Sequence, residues 1–325
     1  MVATRCIANE FATFFHFARS GMANILIVKL GATGDVVRTT PLLHRIAAHI
    51  TWVTSAKNMV LLKRVRENLR CFSWEEREKA FDARYDLAIN LEDTMEVAQF
   101  VRAAECKEIF GAYVDSGHSL RYTENSAPWF DLSLISTFGK EEADKLKFRN
   151  RRTYQDMIFA GLGFGFVGET YVLPEASETG LSGDVAIAAD SGSVWPMKKW
   201  AYYPELKQEL NDLGLTVNVL PERPTLLQHL ADVRNHRCVV GGDSLPMHFA
   251  LGSSRPCVTL FTCTSPWEIH DYGIQIKIVS PILQRFFYKR DFDRRATVAI
   301  AIEEVRDAVL RQLRSTTTLL ETEVR

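Results

Sequence analysis

The sequence predicts an α/β protein of two domains, each a parallel sheet covered by helices, on three observations. From Asn24 onward, short runs rich in β-branched residues alternate with longer amphipathic segments, the pattern of βαβ units. This series occurs twice, and a stretch over residues 161–183 containing Gly161, Gly163, Gly165, Gly168 and Pro174 separates the two occurrences. A chain of 325 residues also exceeds what one hydrophobic core serves, since domains average about 150 residues.

In the first series, apolar runs predict strands over residues 25–30, 50–54, 87–91 and 108–111, with helices over 36–48 and 94–104. The second predicts strands over 185–189, 215–220, 238–242 and 257–261, separated by helices over 204–213, 226–233 and 246–251. Residues 296–313 carry Val298, Ile300, Ile302, Val305 and Val309 at mixed helical spacings and predict a final amphipathic helix that packs on one of the domains, the first being one option. Residues 113–152 show no clean period, and their Tyr, Trp, Ser and Arg content suits a surface for an irregular ligand. The domains are expected over residues 22–165 and 180–325, after an extension over 1–21.

Composition narrows the function classes. With 46% hydrophobic and 24% charged residues the chain is globular, neither disordered nor collagen-like. Lys plus Arg number 39 against 40 for Asp plus Glu, so no global field draws a polyanion and nucleic acid is not an expected partner. The longest stretches without a charge, residues 157–168 and 256–267, are too short to span a bilayer, which takes roughly 18 residues or more. The 6 cysteines, Cys6, Cys71, Cys106, Cys238, Cys257 and Cys263, form no Cys-x-x-Cys pair and fit free thiols in a reducing cytoplasm. The start of the chain lacks the basic region, continuous apolar segment and cleavage site of a signal peptide, and Met22 is a candidate natural start.

Gly163, Gly165 and Gly168 satisfy G-x-G-x-x-G, but a helical segment precedes them and Pro174 follows, so they read as linker. The informative sites share one grammar of strand, tight turn and helix. In ILIVKLGATGDVVRTTPLL, residues 25–43, Gly31 and Gly34 allow close approach at the carboxyl edge of a sheet. Asp35 stands at that edge, either as a helix cap or as a chemical group. In AADSGSVWPMKKW, residues 188–200, backbone amides, Ser191 and Ser193 can donate to phosphate oxygens, while Lys198 or Lys199 adds positive charge. A solvated turn with Trp195 and Trp200 as core anchors is the other reading. In VVGGDSLPMHFALG, residues 239–252, Ser244 can cap a helix with Pro246 at an early position, leaving outward amides for an anion. His248 falls one turn in, facing either ligand or core. Thr262, Thr264 and Ser265 follow the next strand.

Taken in order, KLGATGDVVRTTPLL, GSVWPMKKW, and GGDSLPMHFALG with FTCTSP resemble family 9 of the glycosyltransferases, the family of the bacterial heptosyltransferases, over residues 24 to about 310. The resemblance implies the GT-B architecture, two Rossmann-like domains facing across a cleft, with acceptor on the first and nucleotide sugar on the second. It makes Asp35 the general base of an inverting, single-displacement transfer that needs no metal and no cofactor. It makes Lys198, with Lys199 as the neighbouring alternative, the diphosphate contact, together with the hydroxyls of Ser191 and Ser193. Asp243, Ser244, Leu245 and His248 inherit a donor-binding stretch in which Ser244-Leu245-Pro246 stands where the family has Thr-Gly-x, keeping a hydroxyl and changing the turn. Glu222 stands in for the glutamate that binds the nucleotide ribose, and Thr262 joins the donor set. Gly34, Arg121, Tyr122 and Trp129 are the candidates for acceptor contact.

The resemblance further implies ADP-heptose as donor and a glycan, protein or small molecule as acceptor. The transfer is expected in the cytoplasm, peripheral to the inner face of the membrane if the acceptor is lipid-linked. Two other readings stand beside it: a dinucleotide-dependent oxidoreductase, and a non-catalytic nucleotide-sugar binding protein of the same fold. Asp291 and Asp293 form a D-x-D triplet, but Lys289, Arg290, Arg294 and Arg295 flank it, which predicts ion pairs there instead of a divalent cation.

Overall fold

The computed structural model describes residues 22–323, so the expected extension over residues 1–21 lies outside the described residues. The chain divides into two compact units between Pro174 and Glu175, inside the glycine-rich stretch, and residues 162–182 carry no regular element. The G-x-G-x-x-G sequence therefore sits in irregular chain, without the strand and helix a dinucleotide loop requires.

The first unit runs β1 (Asn24–Val28), α1 (Thr33–Thr39), β2 (His49–Thr54), β3 (Leu69–Ser73), β4 (Leu87–Asn90), α2 (Met95–Ala103), β5 (Glu108–Val114), β6 (Leu120–Tyr122), α3 (Ala127–Phe130), α4 (Lys140–Arg149) and α5 (Tyr154–Gly161). Its sheet has the order β3-β2-β1-β4-β5-β6, parallel except for the β5–β6 hairpin. The uninterrupted apolar run of β1 has a direct cause. Ile25 and Ile27 join Trp52, Ile89, Phe110 and Tyr154 in one core, while Leu26 and Val28 join Val53, Ala88, Val97 and Phe100 in another. A strand buried on both faces cannot alternate apolar with polar.

The helix expected over residues 36–48 stops early. α1 ends at Thr39 and Thr40–His44 continues as a 3-10 turn with Pro41 near its start. Helix α2 begins where expected, its Thr94 cap accepting from the Val97 amide at 3.4 Å.

The second unit runs β7 (Gly183–Ala188), α6 (Tyr203–Asp212), β8 (Val217–Val219), α7 (Leu226–Arg234), β9 (His236–Gly242), α8 (Leu245–Gly252), β10 (Cys257–Phe261), β11 (Gln275–Val279), α9 (Leu283–Phe286), α10 (Arg294–Thr297) and α11 (Ile302–Glu323). The order β11-β10-β9-β7-β8 is parallel throughout. The final helix packs on α6, β9, β10 and β11, so of the two placements open to it the second unit's sheet is the observed one. Its Val305, Ala308 and Val309 enter the core beside Leu206, Val240 and Leu260, and its Gln312 donates to the Cys257 and Ile274 carbonyls.

Candidate active site

In an open α/β sheet, ligands bind beyond the carboxyl ends of the strands where the winding reverses. That point lies between β1 and β4 in the first unit and between β7 and β9 in the second. The three motifs follow β1, β7 and β9, so each is carried to a switch point.

At the first switch point Asp35 occupies the opening turn of α1, about one-third exposed. One carboxylate oxygen, Oδ2, accepts from the Ala32 amide at 3.2 Å and lies 4.0 Å from the Lys29 ammonium. The other, Oδ1, pairs with Arg38 Nε at 3.0 Å. The cap and the chemical group weighed for Asp35 are thus compatible, since the helix end holds a carboxylate that still faces solvent. Arg38 lies over the Tyr154 ring at 4.3 Å and the Trp129 ring at 5.2 Å. Trp129 meets Tyr154 edge-on at 4.8 Å, which brings one acceptor candidate into the Asp35 cluster. Two of the other three are engaged elsewhere. Arg121 pairs with Asp115 in the exposed β5–β6 hairpin at 3.3 Å, and the Tyr122 hydroxyl donates to Asp131 at 2.6 Å. Gly34 lies within α1.

Lys29 and Glu92, absent from the residues picked out of the sequence, complete this cluster. Lys29 is buried and donates to Glu92 Oε1 at 2.8 Å. Burial works against its charge, but the Asp35 and Glu92 carboxylates outweigh burial and hold the ammonium above its ordinary range. The same Glu92 oxygen accepts from the Leu30 amide at 2.8 Å and the Gly31 amide at 3.4 Å. Asn58, fully buried, donates to the Leu30 carbonyl at 2.8 Å and accepts from the Thr33 hydroxyl at 2.8 Å. The glycine turn is thereby tied on both sides. Glu92 was legible as the second residue past β4, a position whose meaning depends on knowing that β4 lies beside β1.

At the second switch point the two lysines separate. Lys198 is buried and donates to the Asp243 carbonyl at 2.5 Å and to its carboxylate at 3.1 Å, joining the loop after β7 to the loop after β9. Lys199 points away, paired at 2.7 Å with Asp190, with side chains 53% and 79% exposed. Burial opposes the Asp243 charge, but the nearby Lys198 ammonium and His248 hold its carboxyl below the ordinary carboxylate range. The glycines before it are required by close approach. A Cβ on Gly241 would stand 2.8 Å from the Ala188 Cβ, and one on Gly242 would stand 3.1 Å from the Lys198 carbonyl.

Other donor candidates divide between the cluster and structural roles. Ser244 is the N-cap of α8 by position, but its side chain does not cap; its hydroxyl turns to the Gly242 carbonyl at 3.4 Å, with Pro246 in the first turn. His248 is buried beside Asp243, and Leu245 is half-buried. Ser191 donates to the Trp195 carbonyl at 3.2 Å, and Ser193 is exposed in the same loop. The Thr262 hydroxyl donates to the Met197 carbonyl at 2.7 Å, so its proton holds the Lys198 loop against β10 and is not free for a ligand. Glu222 is exposed in the loop after β8. Lys277, also unforeseen, ties the loop after β10 by donating to the Pro266 and Ile269 carbonyls. Asp293 pairs with Arg295, which lowers its pKa to about 2. Among the described residues no group of three His, Cys, Asp or Glu could hold a metal ion, and no helix is long and apolar enough to cross a membrane.

Comparison with known proteins places these observations. Residues 194–291 match the family model described as glycosyltransferase family 9 (heptosyltransferase). No curated protein matches in sequence. Among solved structures, the chain is similar to a family 9 glycosyl transferase from Veillonella parvula, at 19% identity and a TM-score of 0.63 over 90% of this chain and 98% of that one. It is also similar to the E. coli ADP-heptose LPS heptosyltransferase II, at 17% identity and a TM-score of 0.58 over 90% and 99% of the two chains. A third is the E. coli heptosyltransferase WaaC solved with ADP-2-deoxy-2-fluoro heptose, at 14% identity and a TM-score of 0.52 over 79% and 93%. The α/β class with two Rossmann-like units is the observed one, and it is the GT-B fold of these neighbours.

Proposed function

We propose, on the premise that the chain is a glycosyltransferase similar to family 9, that it moves a heptose from ADP-heptose to an acceptor hydroxyl with inversion and with Asp35 as general base. The observation that supports this most is the fall of all three motifs on the two switch points, one bearing a partly exposed carboxylate and the other a buried ammonium. The ADP-bearing ligand of the WaaC structure suggests the donor.

In the proposed step the acceptor oxygen attacks the anomeric carbon, its proton passes to Asp35, and the bond from that carbon to the diphosphate breaks with the electron pair leaving on ADP. Charge that builds on the diphosphate would be met by Lys198, the amides opening α8 and the Ser191 loop. Lys198 is favoured over Lys199 because it lies between the two switch-point loops, whereas Lys199 is held outside by Asp190. Asp243 and His248 would bind the donor from the same cluster, and Trp129 is an acceptor candidate linked to the base through Arg38. The acceptor is a glycan, a protein hydroxyl or a small molecule, met in the cytoplasm or at the inner membrane face.

A mass-spectrometric screen of nucleotide sugars with the purified chain tests the donor. Asp35→Asn is expected to lower transfer by about 10²- to 10⁴-fold, the usual contribution of a general base, with ADP binding by calorimetry intact. Near-normal turnover in that variant removes Asp35 from the role.

A further inference from the structure

The sequence buries a lysine directly after β1, next to the apolar run of residues 25–28, and such burial is unfavourable unless the charge is matched. Lys29 is matched by two carboxylates at unequal distance: Glu92 at 2.8 Å, in hydrogen-bond contact, and Asp35 at 4.0 Å. At the longer distance it is the charge of Lys29 that acts on Asp35, since an ammonium within about 4–6 Å favours an ionised carboxylate. Glu92 in turn anchors the ammonium and, through the Leu30 and Gly31 amides, the turn that carries Asp35. Among the described residues, Asp35 is also faced by Arg38 from α1, by the buried Tyr154 phenol from α5, and by the neutral Asn58, which reaches the turn through Thr33.

We infer that Lys29, anchored by Glu92, is a positioning residue for the general base: it keeps the Asp35 carboxylate ionised and turned toward the acceptor, while Glu92 sets how strongly Lys29 acts. This rests on the reading of Asp35 as base. The three charges span the first switch point from β1 to the chain after β4, so two neighbouring strands and one helix end fix the carboxylate together. A merely structural lysine would hold the turn without any consequence for the ionisation of Asp35.

The two readings are separated by whether the Asp35 titration moves. Removing both members of the inner pair, Lys29→Met with Glu92→Gln, leaves no unpaired buried charge and keeps an oxygen for the Leu30 amide. Glu92→Gln alone leaves Lys29 to act on Asp35 undivided. In full-length protein with ¹³C-labelled aspartate, the Asp35 carboxyl resonance is identified by its loss in Asp35→Asn and then titrated. The double variant is expected to titrate about one pH unit higher than the native chain, Glu92→Gln is expected no higher than native, and Lys29→Arg is expected to match native. With ADP-heptose as probe and water as acceptor, the acidic limb of ADP release should follow the same order. An unmoved Asp35 titration in the double variant, with ADP release reduced equally at every pH, overturns the inference. A displaced titration combined with normal turnover in Asp35→Asn instead removes the base reading and leaves the Lys29 contact standing.

Discussion

At the residue scale, the second unit depends on how one ion pair is divided between stability and binding. Lys198→Met strips a buried partner from Asp243 and is expected to cost about 3–5 kcal/mol in chemical denaturation. Adding Asp243→Asn removes the orphaned charge and should recover most of that loss. Neither variant should recover ADP affinity, expected to fall roughly 10- to 100-fold for a charged hydrogen bond of about 1.5–3 kcal/mol. Lys199→Ala, which breaks only an exposed pair, should leave calorimetric ADP binding unchanged. The pair also sets a pH dependence. Because the Asp243 carboxyl is held low, its stabilisation is complete above the ordinary carboxylate pKa, about 3.9, and is lost as pH falls through the lower folded value. The double variant should therefore lose stability less steeply on the acid side, read from denaturation midpoints between neutral pH and about pH 3.

At the element scale, β7 and β9 approach so closely at their carboxyl ends that Gly241 has no room for a side chain. Gly241→Val places carbon against Ala188 and is expected to destabilise the second unit by about 1–3 kcal/mol while displacing the Lys198 and Asp243 loops, measurable as a lowered denaturation midpoint together with weaker ADP binding. Sequence periodicity located the central strands because burial on both faces leaves a continuous apolar run. It failed at β3 and β11, edge strands whose Arg70, Cys71 and Lys277 break that run. It also overran α1, because the 3-10 turn that follows keeps burying Leu42 and Leu43, so the apolar signal outlasts the helix.

At the scale of the whole molecule, the five described cysteines are free, and burial pushes their thiols upward, to about 12 for Cys71, Cys106 and Cys257. Against an ordinary thiol near 8.5, the thiolate fraction at neutral pH falls on the order of 10³-fold. Alkylation of these positions by iodoacetamide at pH 7.5 should therefore be slow in the native chain and rapid after denaturation, read site by site by peptide mass spectrometry. Rapid native labelling of Cys71 or Cys106 would place those thiols in a more solvated setting than the fold provides.

Local pattern alone determined the two α/β series, the glycine-rich division between them, and the three strand-turn-helix motifs that hold Asp35, Lys198 and Asp243, since each is encoded by neighbours along the chain. Tertiary structure decided what those motifs meet. Strand order alone brings Glu92 beside the Asp35 turn and Asp243 beside Lys198, contacts 61 to 63 and 45 residues apart along the chain. It also turned Lys199, Thr262 and the Ser244 hydroxyl to other partners. The physical reason is that hydrophobic periodicity reports which face of an element is buried, whereas a charged side chain's role depends on which opposite charge the sheet topology delivers to it.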